Sequence, residues 1–331
     1  MAMMQAIIIT APGGPEVLQL VERPQPVLRT GEVLIRVESA GINRADLLQR
    51  QGKYPAPAGA PADIPGLEAA GEIIAVDSAC SRFRVGDRVM ALLPGGGYAT
   101  HVAVPDSVCL PVPASVAMRD AGTLPEALFT VWANLFVAAR VQPGETVLIH
   151  GGSSGIGSMA IQMLRAHGAV PIVTAGGAEK CAWCRTAGAE YAIDYQAGDF
   201  SAEVRDITQG RGVNVILDMV GGSYLPQNMR ILADYGRLVW IAVPQGVTGE
   251  LDIRTVMRRR AQITGTTLRA RSDAEKARLA REIERRVLPW LTRSLVKPLI
   301  SHYFPINLAA EAHKTMESGQ HRGKIALEIA A

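Results

Sequence analysis

A glycine-rich turn between an apolar strand and an apolar-periodic helix is the strongest constraint on the fold of this chain. Residues 147–150 read VLIH, residues 151–157 read GGSSGIG, and an apolar-periodic segment continues to His167. Glycine lets a backbone approach a phosphate closely, and a helix start offers free N–H groups and the positive end of a dipole. The spacing differs from the common G-x-G-x-x-G, but it still predicts a dinucleotide pyrophosphate as the ligand. The alternative is a strand-to-helix turn without a ligand.

The segment after this turn alternates between apolar runs and helical patterns. Such an alternation predicts a doubly wound parallel α/β sheet of the Rossmann type. The predicted strands are residues 171–174, 191–193, 213–217 and 238–243, and the predicted second helix is 178–186.

The first third of the chain is β-rich, with Pro and Gly clusters between its apolar runs, which favours a small barrel-like domain. The predicted strands are residues 6–9, 18–21, 33–37, 71–76 and 98–104. The predicted helices of this part are 44–49, with Asn43 as cap, then 120–124 and 127–139.

The last part of the chain falls outside the alternating pattern. Residues 273–291 read as one long amphipathic helix, 307–316 as a helix capped by Asn307, and 324–329 as a closing strand. We expect these elements to pack on the first domain, which would make that domain discontinuous.

Composition narrows the function classes. The 331 residues are 48% hydrophobic and 20% charged, so a chain of two folded domains is expected. The net charge of +3 is too small to indicate a nucleic-acid or membrane partner. Four cysteines are too few for a disulfide framework, and no signal peptide or spanning segment is recognisable, so we expect a cytoplasmic protein.

Two local patterns have unremarkable explanations. The C-x-x-C of Cys181 and Cys184 lies in a predicted helix with no second pair nearby, which argues against a redox or zinc site. The basic clusters at residues 258–260 and at Arg269 and Arg271 are expected to form solvated faces, with nucleic-acid binding as the alternative.

Several motifs together resemble the medium-chain dehydrogenase/reductase superfamily, in particular its zinc-free quinone oxidoreductase branch. The resemblance runs essentially end to end, and residues 49–54, together with residues 174–177 and Lys180, are closest to the p53-inducible type within that branch. The motifs are AGINRAD at 40–46, PGLEAAG at 65–71, VGDRV at 85–89, the turn at 151–157, DMVGG at 218–222 and GKIAL at 323–327.

The resemblance implies two domains with a cleft between them. A GroES-like catalytic domain would comprise residues 1–125 and 266–331, and a Rossmann domain would comprise residues 126–265. It also implies NADPH as hydride donor, a quinone as substrate, and a homodimer joined through the nucleotide-binding domains. Short-chain dehydrogenases share a similar turn, but they need a Tyr-x-x-x-Lys pair, which this sequence lacks.

Zinc members of the superfamily hold a catalytic metal with a Cys before the first helix and a His that precedes a Glu. Asn43 and Leu67 stand at these two places, and Glu68 follows. A neutral amide and an alkyl group cannot replace thiolate and imidazole as Zn²⁺ ligands, so we expect no metal.

The end of the second strand indicates the choice of cofactor. NAD enzymes usually carry an Asp or Glu there, whereas this strand ends in TAGG at 174–177. The small Gly176 leaves room for a 2′-phosphate, and in the family Lys180 and Tyr195 match residues that hold it. The resemblance assigns the remaining cofactor contacts to Gly152, Ser153, Ser154, Gly155, Ile156, Gly157, Thr174, Ala242, Val243, Thr266, Thr267, Leu268 and Lys324.

Hydride transfer needs no nucleophile or triad, because the nicotinamide carries the chemistry. Asn43, Asp46 and Tyr54 match family positions at the cleft, and Thr130 matches a residue near the nicotinamide. Asn43 and Tyr54 are expected to orient quinone oxygens or the nicotinamide end, and Asp46 to orient its loop. Two alternatives remain open: reduction of an α,β-unsaturated carbonyl, and a non-enzymatic crystallin-like or RNA-binding role.

Overall fold

The computed structural model describes residues 2–329, so residues 1, 330 and 331 of the expected catalytic domain lie outside the described residues. The chain forms two compact units. The first unit extends to Phe129 and resumes at Leu268, and the second comprises Thr130–Thr267.

The strands define two larger sheets and a hairpin. In chain order they are β1 Met3–Ile9, β2 Leu18–Pro24, β3 Glu32–Gly41, β4 Glu68–Val76, β5 Arg88–Leu92, β6 His101–Pro105, β7 Cys109–Pro111, β8 Thr146–His150, β9 Val170–Ala175, β10 Tyr191–Asp194, β11 Val213–Asp218, β12 Leu232–Trp240, β13 Gln262–Gly265, β14 Ile300–Pro305 and β15 Lys324–Glu328.

The helices connect and cover these strands. In chain order they are α1 Arg44–Arg50, α2 Met118–Ala121, α3 Pro125–Val131, α4 Gly155–His167, α5 Ala178–Thr186, α6 Phe200–Ile207, α7 Leu225–Ile231, α8 Ile253–Arg259, α9 Asp273–Arg286, α10 Leu288–Thr292 and α11 Ala309–Glu317. A π-helical segment, Trp132–Ala138, continues directly from α3. Among the described residues, none of these helices is both long and apolar enough to span a bilayer.

The first unit is built on a mainly antiparallel sheet of order β14-β15-β3-β4-β5-β7, with β6 paired to β3. Its core contains alternate residues of β3, such as Val33, Ile35 and Val37, and residues of α11 and β15. In this sheet Ala326 of β15 lies opposite Gly41, and Ala69 of β4 lies opposite Ala40. The end of β3 therefore lies beside the starts of β4 and β15.

The second unit contains a parallel sheet of order β10-β9-β8-β11-β12-β13. This order runs outward in both directions from β8, as in dinucleotide-binding folds, whose ligands bind where the order reverses, beyond the carboxyl ends of the strands. The prediction of a mixed α/β fold with a parallel Rossmann-type sheet is confirmed. His150, Thr174, Asp218 and Trp240 lie at or next to the ends of four neighbouring strands.

Several local predictions were wrong. The long helix predicted at 273–291 is two helices, because Val287 interrupts α9 and Pro289 lies in the first turn of α10. Asn307 does not cap α11: a 3-10 turn, Ile306–Leu308, precedes that helix, whose N-cap is Leu308. The strand predicted at 238–243 begins earlier and ends at Trp240.

Candidate active site

The glycine-rich turn follows β8 and leads into α4. Gly151 has a φ of 72°, and a Cβ on Gly157 would lie 2.3 Å from the Gly151 carbonyl oxygen. A Cβ on Gly152 would lie 2.5 Å from Cβ of Val173. Ser154 caps α4, since its Oγ accepts the Gly157 N–H at 2.9 Å. The helix start therefore packs directly on β8 and β9, with Gly155 and Ile156 in its first turn, as a pyrophosphate site requires.

Thr174 supports this turn from the neighbouring strand. Its carbonyl accepts the Gly152 N–H at 2.9 Å, and its Oγ1 lies 3.0 Å from Nδ1 of His150. The Thr174 side chain is buried, so it contacts the turn from within the protein. Ser153 lies in the turn itself and is also largely buried.

A buried polar network continues from His150 beneath the strand ends. His150 Nε2 lies 2.8 Å from Oδ1 of Asn228, whose Nδ2 donates to Oδ2 of Asp218 at 2.8 Å. The other Asp218 oxygen accepts the N–H groups of Val220 and Gly221. Burial lowers the pKa of His150, which favours the neutral imidazole. The network orders the loop after β11. The apolar run at residues 213–217 did not indicate this role.

The end of β9 packs closely against Tyr195. A Cβ on Gly176 would lie 2.8 Å from the hydroxyl oxygen of Tyr195, and Gly177 has a φ of 89°. Tyr195 is 42% exposed, and Lys180 is partly exposed on α5. The nearby carboxylate of Asp194 accepts the N–H groups of Gly177 and Gln196.

Asn134 of the π-helical segment connects further polar residues of the second unit. Its Nδ2 donates to the Thr130 carbonyl at 2.8 Å, and its Oδ1 accepts the Thr266 hydroxyl at 2.5 Å. Thr266 also donates its N–H to the Trp240 carbonyl, at the end of β12. Ala242, Val243 and Thr267 lie in the loops that follow β12 and β13, and Leu268 begins the last part of the first unit.

In the first unit, a buried ion pair connects the three adjacent strand ends. Lys324 Nζ donates to Oε1 of Glu68, and also to Oδ1 of Asn43 at 2.7 Å. Asn43 Nδ2 donates to the same Glu68 oxygen at 2.9 Å. Both atoms of the Asn43 amide are therefore bonded within the protein. Orientation of a substrate by the Asn43 amide and a cofactor contact of Lys324 stay predictions.

The residues of this cluster also indicate whether the place could hold a metal ion. The Asn43 amide oxygen faces an ammonium, and Leu67 is buried as a core side chain. Among residues 2–329, no group of three or more His, Cys, Asp or Glu side chains is arranged to hold a metal ion.

Asp46 anchors the start of α1. Its carboxylate accepts the N–H groups of Asn43 at 2.8 Å and Gly66 at 3.0 Å, and the Tyr98 hydroxyl at 3.3 Å. Burial raises the pKa of Asp46 to about 6. Asp46 is fully buried, so it orders the loop rather than reaching a substrate.

Behind Asp46, a chain of side chains fixes the orientation of Tyr98. Arg50 Nη1 lies 3.3 Å from Nδ1 of His313, whose Nε2 lies 3.1 Å from the Tyr98 hydroxyl. Guanidinium only donates, so His313 Nδ1 accepts and Nε2 carries the proton. Burial, together with the Arg50 charge, lowers the pKa of His313 to about 3.

Tyr54 is held by Arg269. The guanidinium carbon lies 5.2 Å from the centre of the Tyr54 ring. Arg269 donates to the Pro94 carbonyl at 2.8 Å and to Oε1 of Gln49 at 2.6 Å. Arg269 is therefore buried, and the expectation that it belongs to a solvated face was wrong. No local pattern distinguished it from Arg271, because its partners lie far away in the chain.

The chain matches two known protein families. Residues 29–114 match the family described as alcohol dehydrogenase GroES-like domain, and residues 155–284 match the family described as zinc-binding dehydrogenase. The chain is 31% identical to rat quinone oxidoreductase over 332 residues, which cover 98% of each protein.

Two further relatives extend this result. The chain is 30% identical over 97% of its length to a phenolphthiocerol/phthiocerol polyketide synthase polypeptide of Mycobacterium tuberculosis, of which it spans only 14%. A crystal structure of Escherichia coli quinone oxidoreductase complexed with NADPH superposes with a TM-score of 0.85 at 26% identity, covering 98% of this chain and 99% of the other.

Proposed function

This chain belongs to the medium-chain dehydrogenase/reductase superfamily, in its zinc-free quinone oxidoreductase branch, and from that membership we propose that it reduces quinones with NADPH. It is an oxidoreductase of that superfamily, and the relatives support a nicotinamide cofactor. The quinone substrate and the preference for NADPH are the proposed part.

The bonding of Asn43 is the observation that carries the proposal. Its amide oxygen accepts from the Lys324 ammonium, at the place where zinc members of the superfamily have a thiolate ligand. An amide so engaged, next to a buried leucine, cannot hold Zn²⁺ to polarise an alcohol or a carbonyl. A quinone is electrophilic without such polarisation, so its reduction needs no metal ion at this place.

The glycine-rich turn fits a dinucleotide. The N–H groups at the start of α4 would hold the pyrophosphate, and Lys180 and Tyr195 would hold the 2′-phosphate. Residues 242, 243 and 266–268 would offer backbone groups to the carboxamide, near Thr130. When bound, NADPH supplies the hydride.

Tyr54 is the proposed substrate contact of the first unit. Its phenol is half-buried and offers a ring for stacking and an O–H group for a quinone oxygen. Arg269 and Gln49 hold the segment that carries it. Asn43 and Asp46 are positioning residues, since they order the start of α1.

A parallel screen tests the proposal. NADPH oxidation is measured with a panel of quinones and a panel of enones, and RNA binding is measured over a range of salt concentrations. We expect turnover with quinones. Turnover with enones alone would identify an enone reductase, and salt-sensitive RNA binding without any turnover would favour the non-enzymatic role.

A further inference from the structure

Glu126 is an acidic side chain that the reaction described above does not yet use. It is the second residue of α3, and its N–H donates to Oε2 of Glu68 at 2.9 Å. This bond joins the start of α3 to the Asn43, Glu68 and Lys324 cluster. Glu126 is partly exposed, whereas Glu68 and Asp46 are 0% exposed. Of these three acidic residues, only Glu126 retains solvent-accessible surface.

The surroundings of Glu126 contain charges of both signs. The charges of Glu68 and Asp46 favour protonation of its carboxyl group, and the charges of Lys324 and Arg269 oppose it. The Glu126 charge in turn interacts electrostatically with Tyr54 and with Lys276 of α9.

The nearby cations are bonded elsewhere. Lys324 donates to Glu68 and Asn43. Arg269 donates to the carbonyls of Pro94 and Tyr54 and to the Gln49 side chain. Lys276 donates to the Arg269 carbonyl at 2.9 Å. Between residues 2 and 329, no donor forms a hydrogen bond with the Glu126 carboxyl group.

These conditions favour a protonated carboxyl group. Burial, reinforced by the Glu68 carboxylate, raises the pKa of Glu126 to about 8. At neutral pH the side chain therefore keeps its proton. An acid that holds its proton near the working pH, and that has accessible surface, is suited to general acid catalysis.

We propose that Glu126, whose charge acts on Tyr54, donates to a substrate oxygen the proton that accompanies hydride transfer. The inference rests on the proposed function. Hydride addition to a quinone supplies two electrons and one hydrogen nucleus and leaves a hydroquinone monoanion. The Glu126 O–H bond then breaks, a new O–H bond forms on the anionic oxygen, and neutral hydroquinone results. The Glu126 carboxylate then takes up a proton from solvent, which returns it to its starting state.

The kinetic test compares Glu126→Gln, Glu126→Asp and wild type over a range of pH, with Glu311→Gln on the exposed face of α11 as the matched control. For wild type, kcat/KM should fall above about pH 8, by about tenfold per pH unit. Glu126→Gln should be slower by roughly 10²-fold below that pH and should lose the inflection. Glu126→Asp should keep an inflection, and Glu311→Gln should behave as wild type.

A second readout does not depend on turnover. Infrared difference spectra of wild type against Glu126→Gln should contain the C=O stretch of a protonated carboxyl group at neutral pH, and it should disappear with a midpoint near pH 8. If wild type lacks this band, the proposal is overturned.

The two proposals fail in different ways. If wild type reduces quinones and Glu126→Gln keeps both the rate and the pH inflection, only the role of Glu126 is wrong. If wild type reduces neither quinones nor enones, the proposed function is wrong, and the proton-donor role falls with it.

Discussion

Buried polar residues join distant segments of the first unit. Lys324 and Glu68 are 256 positions apart and form an ion pair whose side chains are 5% and 0% exposed. Such a pair has a large desolvation cost, and it is stable only because Asn43 and the Glu126 N–H satisfy the remaining polar atoms.

Removing one member of this pair should be strongly destabilising. We expect Lys324→Met to lower the free energy of unfolding by about 3–5 kcal/mol, since it leaves the Glu68 carboxylate buried and unpaired. Adding Glu68→Gln should restore part of that loss. Chemical denaturation checks both variants, and a Lys324→Met protein as stable as wild type would show that the pair does not hold the strand ends together.

Lys180 determines the cofactor preference in our proposal. A charge-assisted contact is worth roughly 1.5–3 kcal/mol, so Lys180→Ala should weaken NADPH binding by about ten-fold to a hundred-fold. NADH affinity should barely change. Lys314→Ala, which removes an exposed lysine of the first unit, is the matched control. Equal losses for both cofactors in fluorescence titrations would assign Lys180 another role.

Tyr54 should act on substrate placement and not on cofactor binding. Loss of one neutral hydrogen bond costs on the order of 0.5–1.5 kcal/mol, so Tyr54→Phe should reduce kcat/KM about two- to twelve-fold. Tyr54→Ala should do more, because the ring that packs on Arg269 is also lost. NADPH affinity should stay near wild type in both variants. Unchanged turnover of Tyr54→Ala on every quinone would remove this segment from the substrate site.

At the scale of elements, the contact of α4 with β8 depends on the absence of a side chain. Helix propensity alone predicts that Gly157→Ala stabilises α4 by about 1 kcal/mol. The added Cβ would, however, lie 2.3 Å from the Gly151 carbonyl oxygen, so the turn must open.

We therefore expect Gly157→Ala to lower both the melting temperature and the NADPH affinity. Gly198→Ala is the matched control in the same unit, because a Cβ there meets no atom within 4 Å. Thermal unfolding and cofactor titration of the two variants provide the check. If Gly157→Ala binds NADPH as tightly as wild type, the turn does not hold the pyrophosphate.

At the scale of the whole molecule, we propose a homodimer formed through the second unit. β13 lies at the edge of the parallel sheet, and an unpaired edge exposes backbone N–H and C=O groups. Large apolar side chains in the segment between β12 and β13 are exposed, including Val247, Ile253 and Met257. A second copy across a two-fold axis would cover both features.

Light scattering tests this assembly. Wild type should have the mass of two chains, and the double substitution Ile253→Glu with Met257→Glu should shift the equilibrium to one chain, since charges would replace the apolar contact. Val27→Glu, at another exposed apolar residue, is the control that should leave the mass unchanged. A wild-type mass of one chain at every concentration would refute the dimer.

The sequence by itself determined the order of the strands and helices around the glycine-rich turn. A turn such as 151–157 needs specific glycines at specific places, and hydrophobic periodicity is a local property, so both are readable from neighbouring residues. Where packing overrides local pattern, the prediction was wrong, as at Val287 and Asn307.

Only the tertiary structure decided the polar interior. The bonds of Lys324 with Asn43, of His313 with Tyr98 and of Arg269 with Gln49 join residues more than 200 positions apart. Nothing in the neighbouring residues distinguishes a buried arginine from an exposed one, because burial is set by which strand ends and loops the fold brings together. The raised pKa of Glu126 has the same origin, since its causes are burial and distant charges.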